Sequence, residues 1–143
     1  MAETGALLDV KDLRVSFKTY GGRVRAVRDV SFHVDAGECV AVVGESGCGK
    51  SVTAKAILRL IEGPQGSIDG GSIRFEGSDL MALTENQMQQ VRGSRISMIF
   101  QDPMTSLNPT MTIGKQIAEV MMKHQKISRR EAQEKTVEYL KLV

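Results

Sequence analysis

The segment GESGCGKS, residues 44 to 51 and called the glycine loop below, contains residue types that bind phosphate groups. Its spacing is G-x-x-x-x-G-K-[ST], with one more glycine inside. Glycines allow unusual backbone angles and the close approach of phosphate oxygens, so backbone amides can point at the phosphates from the positive end of the following helix. The lysine adds a charge for the β and γ phosphates, and the serine hydroxyl can ligate Mg²⁺. The predicted phosphate-binding residues are Gly44, Glu45, Ser46, Gly47, Cys48, Gly49, Lys50, Ser51 and Val52, with Ser51 also a metal ligand.

The glycine loop has a less specific interpretation, which is a glycine-rich turn that satisfies the pattern by coincidence. The flanking elements argue against it, because the pattern has chemical meaning only between a strand and a helix. Cys48 carries two interpretations as well. A thiol beside Lys50 at a helix start could be reactive, but a small residue that fits the loop is the simpler explanation.

The residues before the glycine loop read as strands. LLDVKDLRVSF has two alternating apolar sets with an offset near Asp12, YGGR is a turn, and DVSFHV alternates apolar and polar residues. After a turn at DAGE, the continuously apolar CVAVV predicts a central parallel strand that is covered on both faces. KSVTAKAILRLIEG then predicts a helix with Ala54, Ile57, Leu58 and Ile61 on its apolar face and Gly63 and Pro64 as its stop.

The second half of the chain alternates strands and helices. GGSIRFEG predicts a strand, TENQ has the spacing of a capping box for a short helix that ends near Gly93, and RISMIF predicts another buried strand. QDPMTSLNPTMTIG is a connection. Two helices follow, one around Ile113 to Lys123 and one opened by the capping box SRRE. The second has Ala132, Val137, Leu140 and Val143 on its apolar face.

Composition narrows the class of protein. The chain has 143 residues, 41% of them hydrophobic, with a formal net charge of +2 and no clustered basic stripe. These values predict one ordinary globular domain and do not favour nucleic acid as a partner. No apolar run approaches the roughly 20 residues that cross a bilayer, and the first residues lack the features of a signal peptide. Cys39 and Cys48 lie in different environments, so we expect no disulfide between them.

The order of these motifs resembles the nucleotide-binding domain of ABC transporters. An antiparallel layer precedes the glycine loop and IFQDP follows it, whereas small nucleoside kinases usually place this loop after the first strand. MIFQDPMTSLNPTMTIGKQIAE looks like the subgroup that imports dipeptides, oligopeptides, glutathione or nickel. The resemblance implies an α/β fold, a P-loop NTPase core of ABC type with an antiparallel β layer and the start of a helical subdomain. It also implies ATP and Mg²⁺ as cofactors.

The resemblance assigns roles to residues outside the glycine loop. Phe17, with Tyr20 as a second candidate, would stack on the adenine ring, although such an aromatic is more often part of a core or an edge. Gln101 would touch the Mg²⁺ or the attacking water; without the resemblance it is a polar residue at a strand end. Asp102 to Met111 would receive the transmembrane permease. The family often has threonine where this chain has Val52, so a hydroxyl contact to the α phosphate is not predicted there.

The resemblance also implies domain boundaries and partners. Residues 1–37 would form mainly the antiparallel layer, 38–101 the P-loop core with its β insert, and 102–143 the start of the helical subdomain. The family's general base, its LSGGQ-like signature and its switch histidine have no match here. We therefore expect an amino-terminal part of a longer ATPase subunit that is inactive alone. The partners would be permease subunits and a second nucleotide-binding subunit, at the cytoplasmic face of the inner membrane.

Other classes of function remain open from the sequence. A non-transport ABC ATPase of the DNA-repair or translation type would share the glycine loop without needing a membrane-subunit dock. A small-molecule kinase and a regulatory nucleotide-binding module are further alternatives. The transported substrate is not encoded in this chain, because partner proteins choose it in the family.

Overall fold

A computed structural model describes residues 5–61, 65–102 and 107–143. The chain divides into two compact units, Met1–Met88 and Gln89–Val143, and each is described by itself. The first unit contains an antiparallel sheet with a helix against it. The second contains a pair of packed helices.

The sheet is formed by four strands in the order β2-β1-β3-β4. The strands are β1 (Leu8–Thr19), β2 (Gly22–Val34), β3 (Gly66–Phe75) and β4 (Ser78–Asp79), and every neighbouring pair is antiparallel. β1 and β2 form a hairpin around Tyr20 and Gly21, which confirms the turn predicted at YGGR. The predicted strand at GGSIRFEG is confirmed within β3.

The offset predicted near Asp12 is a β-bulge in β1. Asp12 has φ 49°, and the pairing of β1 with β2 shifts between Val10 and Leu13. Opposite the bulge, Gly71 has φ 95°, and a Cβ added there would lie 2.5 Å from the Lys11 carbonyl oxygen. Only glycine fits this close backbone approach, which explains one of the two glycines in the middle of β3.

One set of β-strand side chains forms the core of the first unit. Val10, Leu13, Val15 and Ile73 are fully buried, and Val27 is 4% exposed. Burying each such side chain contributes about 1.5–3 kcal/mol relative to exposure, so this cluster is a main source of the sheet's stability. Helix α1 (Lys50–Ile57) lies against β1 and β2.

A polar network crosses β1, β2 and β3. Arg23 pairs with Asp69 and also donates from Nε to the Ser16 hydroxyl at 2.6 Å. Ser67 donates to Asp69 at 2.6 Å. Hydrogen bonds from Ser16 and then Ser67, with the nearby charge of Arg23, hold the pKa of Asp69 below its ordinary value. The network links residues that lie far apart in sequence.

Helix α1 begins where the sequence predicts and ends earlier. It stops at Ile57, between one and two turns before Gly63 and Pro64, which lie outside the described residues. Within the helix the buried residues are Thr53 and Ala56, whereas the predicted Ala54 and Ile57 are half-buried. The predicted face was right at the C-cap residue Leu58, which is 5% exposed. Thr53 can be buried because its hydroxyl donates to the Gly49 carbonyl at 3.0 Å.

Helix α2 (Glu85–Val91) begins with the predicted capping box. The Thr84 amide donates to Gln87 Oε1 at 2.8 Å, and the Gln87 amide donates back to the Thr84 hydroxyl at 3.4 Å. Gly93, with φ 82°, follows the helix, which confirms the predicted stop.

The second unit contains α3 (Ile113–Gln125) and α4 (Arg129–Leu142), and both predicted helices are confirmed. The Ser128 hydroxyl accepts from the Glu131 amide at 3.3 Å, as the SRRE pattern predicts. Ala118, Met121 and Ala132 form the buried contact between the helices. The predicted apolar face of α4 was right at Ala132 and wrong beyond it, since the exposed residues include Val137, Leu140 and Val143 while Thr136 is buried.

Two predicted buried strands were wrong in this structure. Residues 39–43 and 97–100 lie outside any strand, and Val43 and Ile99 are 88% and 98% exposed. An apolar run forms a central strand only when neighbouring strands pair with it on both sides. Among the described residues no strand pairs with either run, and the isolated bridge from Arg92 to Ile96 is the only parallel contact. Cys39 is therefore exposed; it and Cys48 are free cysteines, as expected.

Candidate functional site

The glycine loop connects the irregular residues 39–43 to α1. Gly49 is the N-cap of α1 and adopts a left-handed conformation with φ 96° and ψ 2°. A Cβ added there would lie 2.5 Å from the carbonyl oxygen of Ala26 in β2 and 3.6 Å from Val27 Cγ2. This close contact fixes the start of α1 on the sheet and explains a glycine at this position beyond any contact with a ligand.

The side chain of Lys50 turns back over the glycine loop. Its Nζ donates to the carbonyl oxygens of Gly44 and Glu45, each at 2.7 Å, and lies 3.5 Å from Cys48 Sγ. An ammonium group has three donors and no acceptor, so the two carbonyls can hold it in place. The structure therefore places the predicted charge at the centre of the loop.

The backbone amides around Lys50 form a second set of donors. In residues 5–61, no protein oxygen accepts a hydrogen bond from the amides of Gly47, Gly49, Lys50, Ser51 or Val52. The first amides of a helix have no partner inside the helix, and they carry its partial positive charge. Five amides and an ammonium group within six residues can bind an anion with several oxygens, such as a polyphosphate.

The metal-ligand prediction rests on Ser51. Its hydroxyl is exposed in the first turn of α1 and makes no hydrogen bond within the described part of the chain. The described residues contain no group of three or more histidine, cysteine, aspartate or glutamate side chains that could hold a metal. Mg²⁺ commonly keeps waters and takes few protein ligands beside phosphate oxygens, so a single hydroxyl here is compatible with Mg²⁺ that arrives with a nucleotide.

The two aromatic candidates lie near this end of the sheet. Phe17 is half-buried and pairs with Val24 in β2 and with Gly66 in β3. It lies two positions along β1 from Val15, which pairs with Val27. Its ring covers Gly66, where an added Cβ would lie 3.0 Å from Phe17 Cε1. Tyr20 is fully exposed in the hairpin turn. The strand register thus brings Phe17 to the end of the sheet that carries the glycine loop.

The remaining predicted site residues belong to the second unit. Gln101 and Asp102 are exposed, and residues 103–106 of the predicted docking segment lie outside the described residues. The first unit brings together the glycine loop and the strand that carries Phe17. The role of Gln101 stays a prediction.

The sequence did not predict a second ordered structure, the hydrogen-bonded turn from Asn108 to Met111. The side chains of Asn108 and Gln116 hold this turn through several hydrogen bonds. The dipeptide Asn-Pro at residues 108 and 109 was a recognisable turn signal within the connection. Its link to Gln116 had no sequence signal, because the two residues meet only once α3 forms.

Three relatives are similar to this chain along nearly its whole length. An oligopeptide transport ATP-binding protein, OppD of Bacillus subtilis, is 60% identical over 143 residues, which are 100% of this chain and 40% of the relative. OppD of Escherichia coli is 50% identical over 141 residues, 99% of this chain and 41% of the relative. The dipeptide transport ATP-binding protein DppD of Bacillus subtilis is 49% identical over 96% of this chain and 41% of its own length. The chain thus spans about two fifths of the length of these relatives.

Comparisons with a family model and with solved structures agree with this similarity. The model of the ABC transporter family matches residues 27–142. A dimeric bacterial ABC transporter cassette has a TM-score of 0.77 at 21% identity, covering 94% of this chain and 56% of the cassette chain. A second cassette structure, a dimer bound to ADP and Pi, has a TM-score of 0.76 at 20% identity with the same coverage. No described helix is long and apolar enough to span a membrane.

Proposed function

This chain belongs to the ABC transporter family, and we propose that its glycine loop binds the phosphates of MgATP. The observation that carries the proposal is the set of amides at Gly47 and from Gly49 to Val52, which bond no protein oxygen in residues 5–61 and surround the Lys50 ammonium group. Their number suits the β and γ phosphates better than a single carboxylate, which offers only two oxygens.

Each residue of the loop would have a distinct task. The amides would hold phosphate oxygens, Lys50 would neutralise charge on the β and γ phosphates, and Gly49 would keep the start of α1, with its amides, against β2. Ser51 would be the protein ligand of Mg²⁺, an ion that supplies charge compensation between the phosphates. Phe17 would stack on the adenine ring, and Gln101 would contact the metal or the attacking water.

The proposed role is that of the energising subunit of a bacterial importer for peptides or related small solutes. The three relatives named above are oligopeptide or dipeptide transport ATP-binding proteins, which supports peptides as the substrate class. The longer protein would hydrolyse ATP to drive uptake, from the cytoplasmic face of the inner membrane. This sequence contains no LSGGQ-like segment and no apolar strand followed by Asp-Glu, so the 143 residues alone would bind nucleotide without turnover.

Two protein partners complete the proposal. Asp102 to Met111 would contact the transmembrane permease, and a second nucleotide-binding subunit would form a dimer with this one. The dimeric cassettes of similar fold support the second partner.

Titration of the purified chain with MgATP by calorimetry tests the nucleotide site. Hydrogen bonds that involve a charged group are worth about 1.5–3 kcal/mol, so Lys50→Met should weaken binding by roughly 10- to 150-fold. Lys55→Met, on the same helix but in its last turn, is the matched control and should change affinity less than about threefold. Equal affinity of Lys50→Met and the unmodified chain would contradict the proposed site.

A further inference from the structure

The part of the docking segment that the structure describes contains a tight turn. The Met111 amide donates to the Asn108 carbonyl at 3.2 Å, which closes a four-residue turn with Pro109 at its second position. Inside it, Asn108 Oδ1 accepts from the Thr110 amide at 2.9 Å and from the Thr110 hydroxyl at 2.7 Å. Proline fixes one backbone angle and the asparagine side chain mimics a second turn, so the backbone here has few alternatives.

Gln116, in the first half of α3, holds this turn from outside. Its Oε1 accepts from the Asn108 amide at 3.0 Å, and its Nε2 donates to the carbonyl oxygens of Asn108 and Met111, each at 3.0 Å. One amide group thus bonds both ends of the turn. Thr112, the N-cap of α3, makes no capping bond with its own side chain. Gln116 connects this helix start to Asn108 and Met111 instead.

The residues flanking the turn are presented to solvent. Leu107 on one side and Ile113 on the other are 48% and 51% exposed, whereas Met111 and Gln116 are half-buried. A rigid turn that displays apolar side chains loses little conformational entropy when a partner covers it, because the backbone is already ordered.

We propose that Gln116 is a positioning residue, whose three hydrogen bonds hold the Asn108–Met111 turn in the shape that a permease subunit recognises. The proposal rests on the docking role proposed above for Asp102 to Met111. Gln116 would act through the turn and not touch the partner itself, so its side chain can be changed while Leu107 and Ile113 are kept.

The first experiment measures the turn in the purified 143-residue chain by amide hydrogen exchange. In Gln116→Met, which has a similar volume without hydrogen bonds, protection at the Asn108 and Met111 amides should fall about tenfold or more. Gln116→Glu keeps an acceptor for the Asn108 amide and should restore part of that protection. Unchanged protection in Gln116→Met would overturn the proposal.

The second experiment measures binding of the same chains to membrane vesicles. The vesicles come from Bacillus subtilis cells that overproduce an oligopeptide transporter lacking its ATP-binding subunit OppD, and vesicles without that transporter are the reference. Gln116→Met should bind at least about tenfold more weakly than the unmodified chain. Thr136→Ala is the control for lost stability, since it removes a buried hydroxyl that donates to the Ala132 carbonyl at 2.7 Å on α4. It should bind within about twofold of the unmodified chain.

The outcomes separate this inference from the function on which it rests. If the unmodified chain binds both kinds of vesicle equally, the docking role fails and the positioning role fails with it. If the unmodified chain prefers the transporter vesicles and Gln116→Met does so equally, the docking role stands and only the positioning role is overturned. Equal losses in Gln116→Met and Thr136→Ala would overturn it too, because stability alone would then explain the effect.

Discussion

Replacing Gly49 with alanine perturbs the contact that seats the glycine loop on the sheet. The residue has φ 96°, a conformation that costs a non-glycine residue about 1–2 kcal/mol. Its new Cβ would lie 2.5 Å from the Ala26 carbonyl oxygen, a backbone atom that cannot rotate away. Relieving such a clash costs about 1–3 kcal/mol, so Gly49→Ala should destabilise the first unit by about 2–5 kcal/mol in total.

Gly47→Ala is the matched control for this variant. Gly47 has φ 82°, so alanine there carries a similar conformational cost, but an added Cβ would meet no atom within 4 Å. We therefore expect a loss of only about 1–2 kcal/mol. Urea unfolding of each chain, followed by the NMR signals of Ala56 and Val27, reports the stability of the first unit. Equal midpoints for the two variants would refute the claim that the contact with Ala26 fixes α1.

Two further predictions concern the sheet and the helix pair. The pKa of Asp69 is lowered in the folded state, so its ionised carboxylate stabilises the fold. This contribution to the free energy of unfolding is present above the unfolded pKa of about 3.9 and is lost as pH falls through the folded pKa. Asp69→Asn should therefore make the free energy of unfolding of the first unit depend less on pH below about pH 4. An unchanged slope of that free energy against pH would contradict the stabilising role of the polar network. In the second unit, Ala132 is fully buried between α3 and α4, so Ala132→Leu should cost about 1–3 kcal/mol in thermal or urea unfolding. Gln133→Leu, one residue along and exposed, should change stability by less than about 0.5 kcal/mol, and similar losses in both would argue against the described packing.

Local patterns in the sequence predicted the elements that are stabilised by nearby residues. The capping boxes at Thr84 and Ser128 predict where α2 and α4 start. Thr84 and Gln87 make both contacts of the box, and the Ser128 hydroxyl accepts from the Glu131 amide. The bulge at Asp12 was visible as an interruption of a period of two. Each of these features depends on interactions within a few residues, which a single sequence displays directly.

Features that depend on distant residues were predicted less well. Residues 39–43 have the composition of a buried strand, yet among the described residues they have no paired neighbour and remain exposed. Composition indicates suitability for burial, whereas the partner strands decide it. In the same way, the link from Gln116 to Asn108 and the contact between Gly49 and Ala26 arise only after α3 and the β1–β2 hairpin have formed.

In the candidate site, too, features that depend on local sequence were predicted and features that depend on distant residues were not. The identity of the glycine-loop residues and the position of the lysine followed from spacing alone, since the chemistry of phosphate binding demands those residue types. The seating of the loop on β2 required the structure. The proposed roles of Phe17 and Gln101 come from family resemblance and remain predictions.

The most direct test of the central claim is an NMR titration of the ¹⁵N-labelled chain with MgATP, compared with adenosine. The proposed phosphate site predicts that MgATP causes its largest amide shifts at Gly47 and from Gly49 to Val52. Adenosine, which has no phosphates, should leave these amides nearly unchanged. Shifts of equal size with adenosine, or MgATP-induced shifts confined to residues outside the glycine loop, would contradict the claim that this loop binds the phosphates of a nucleotide.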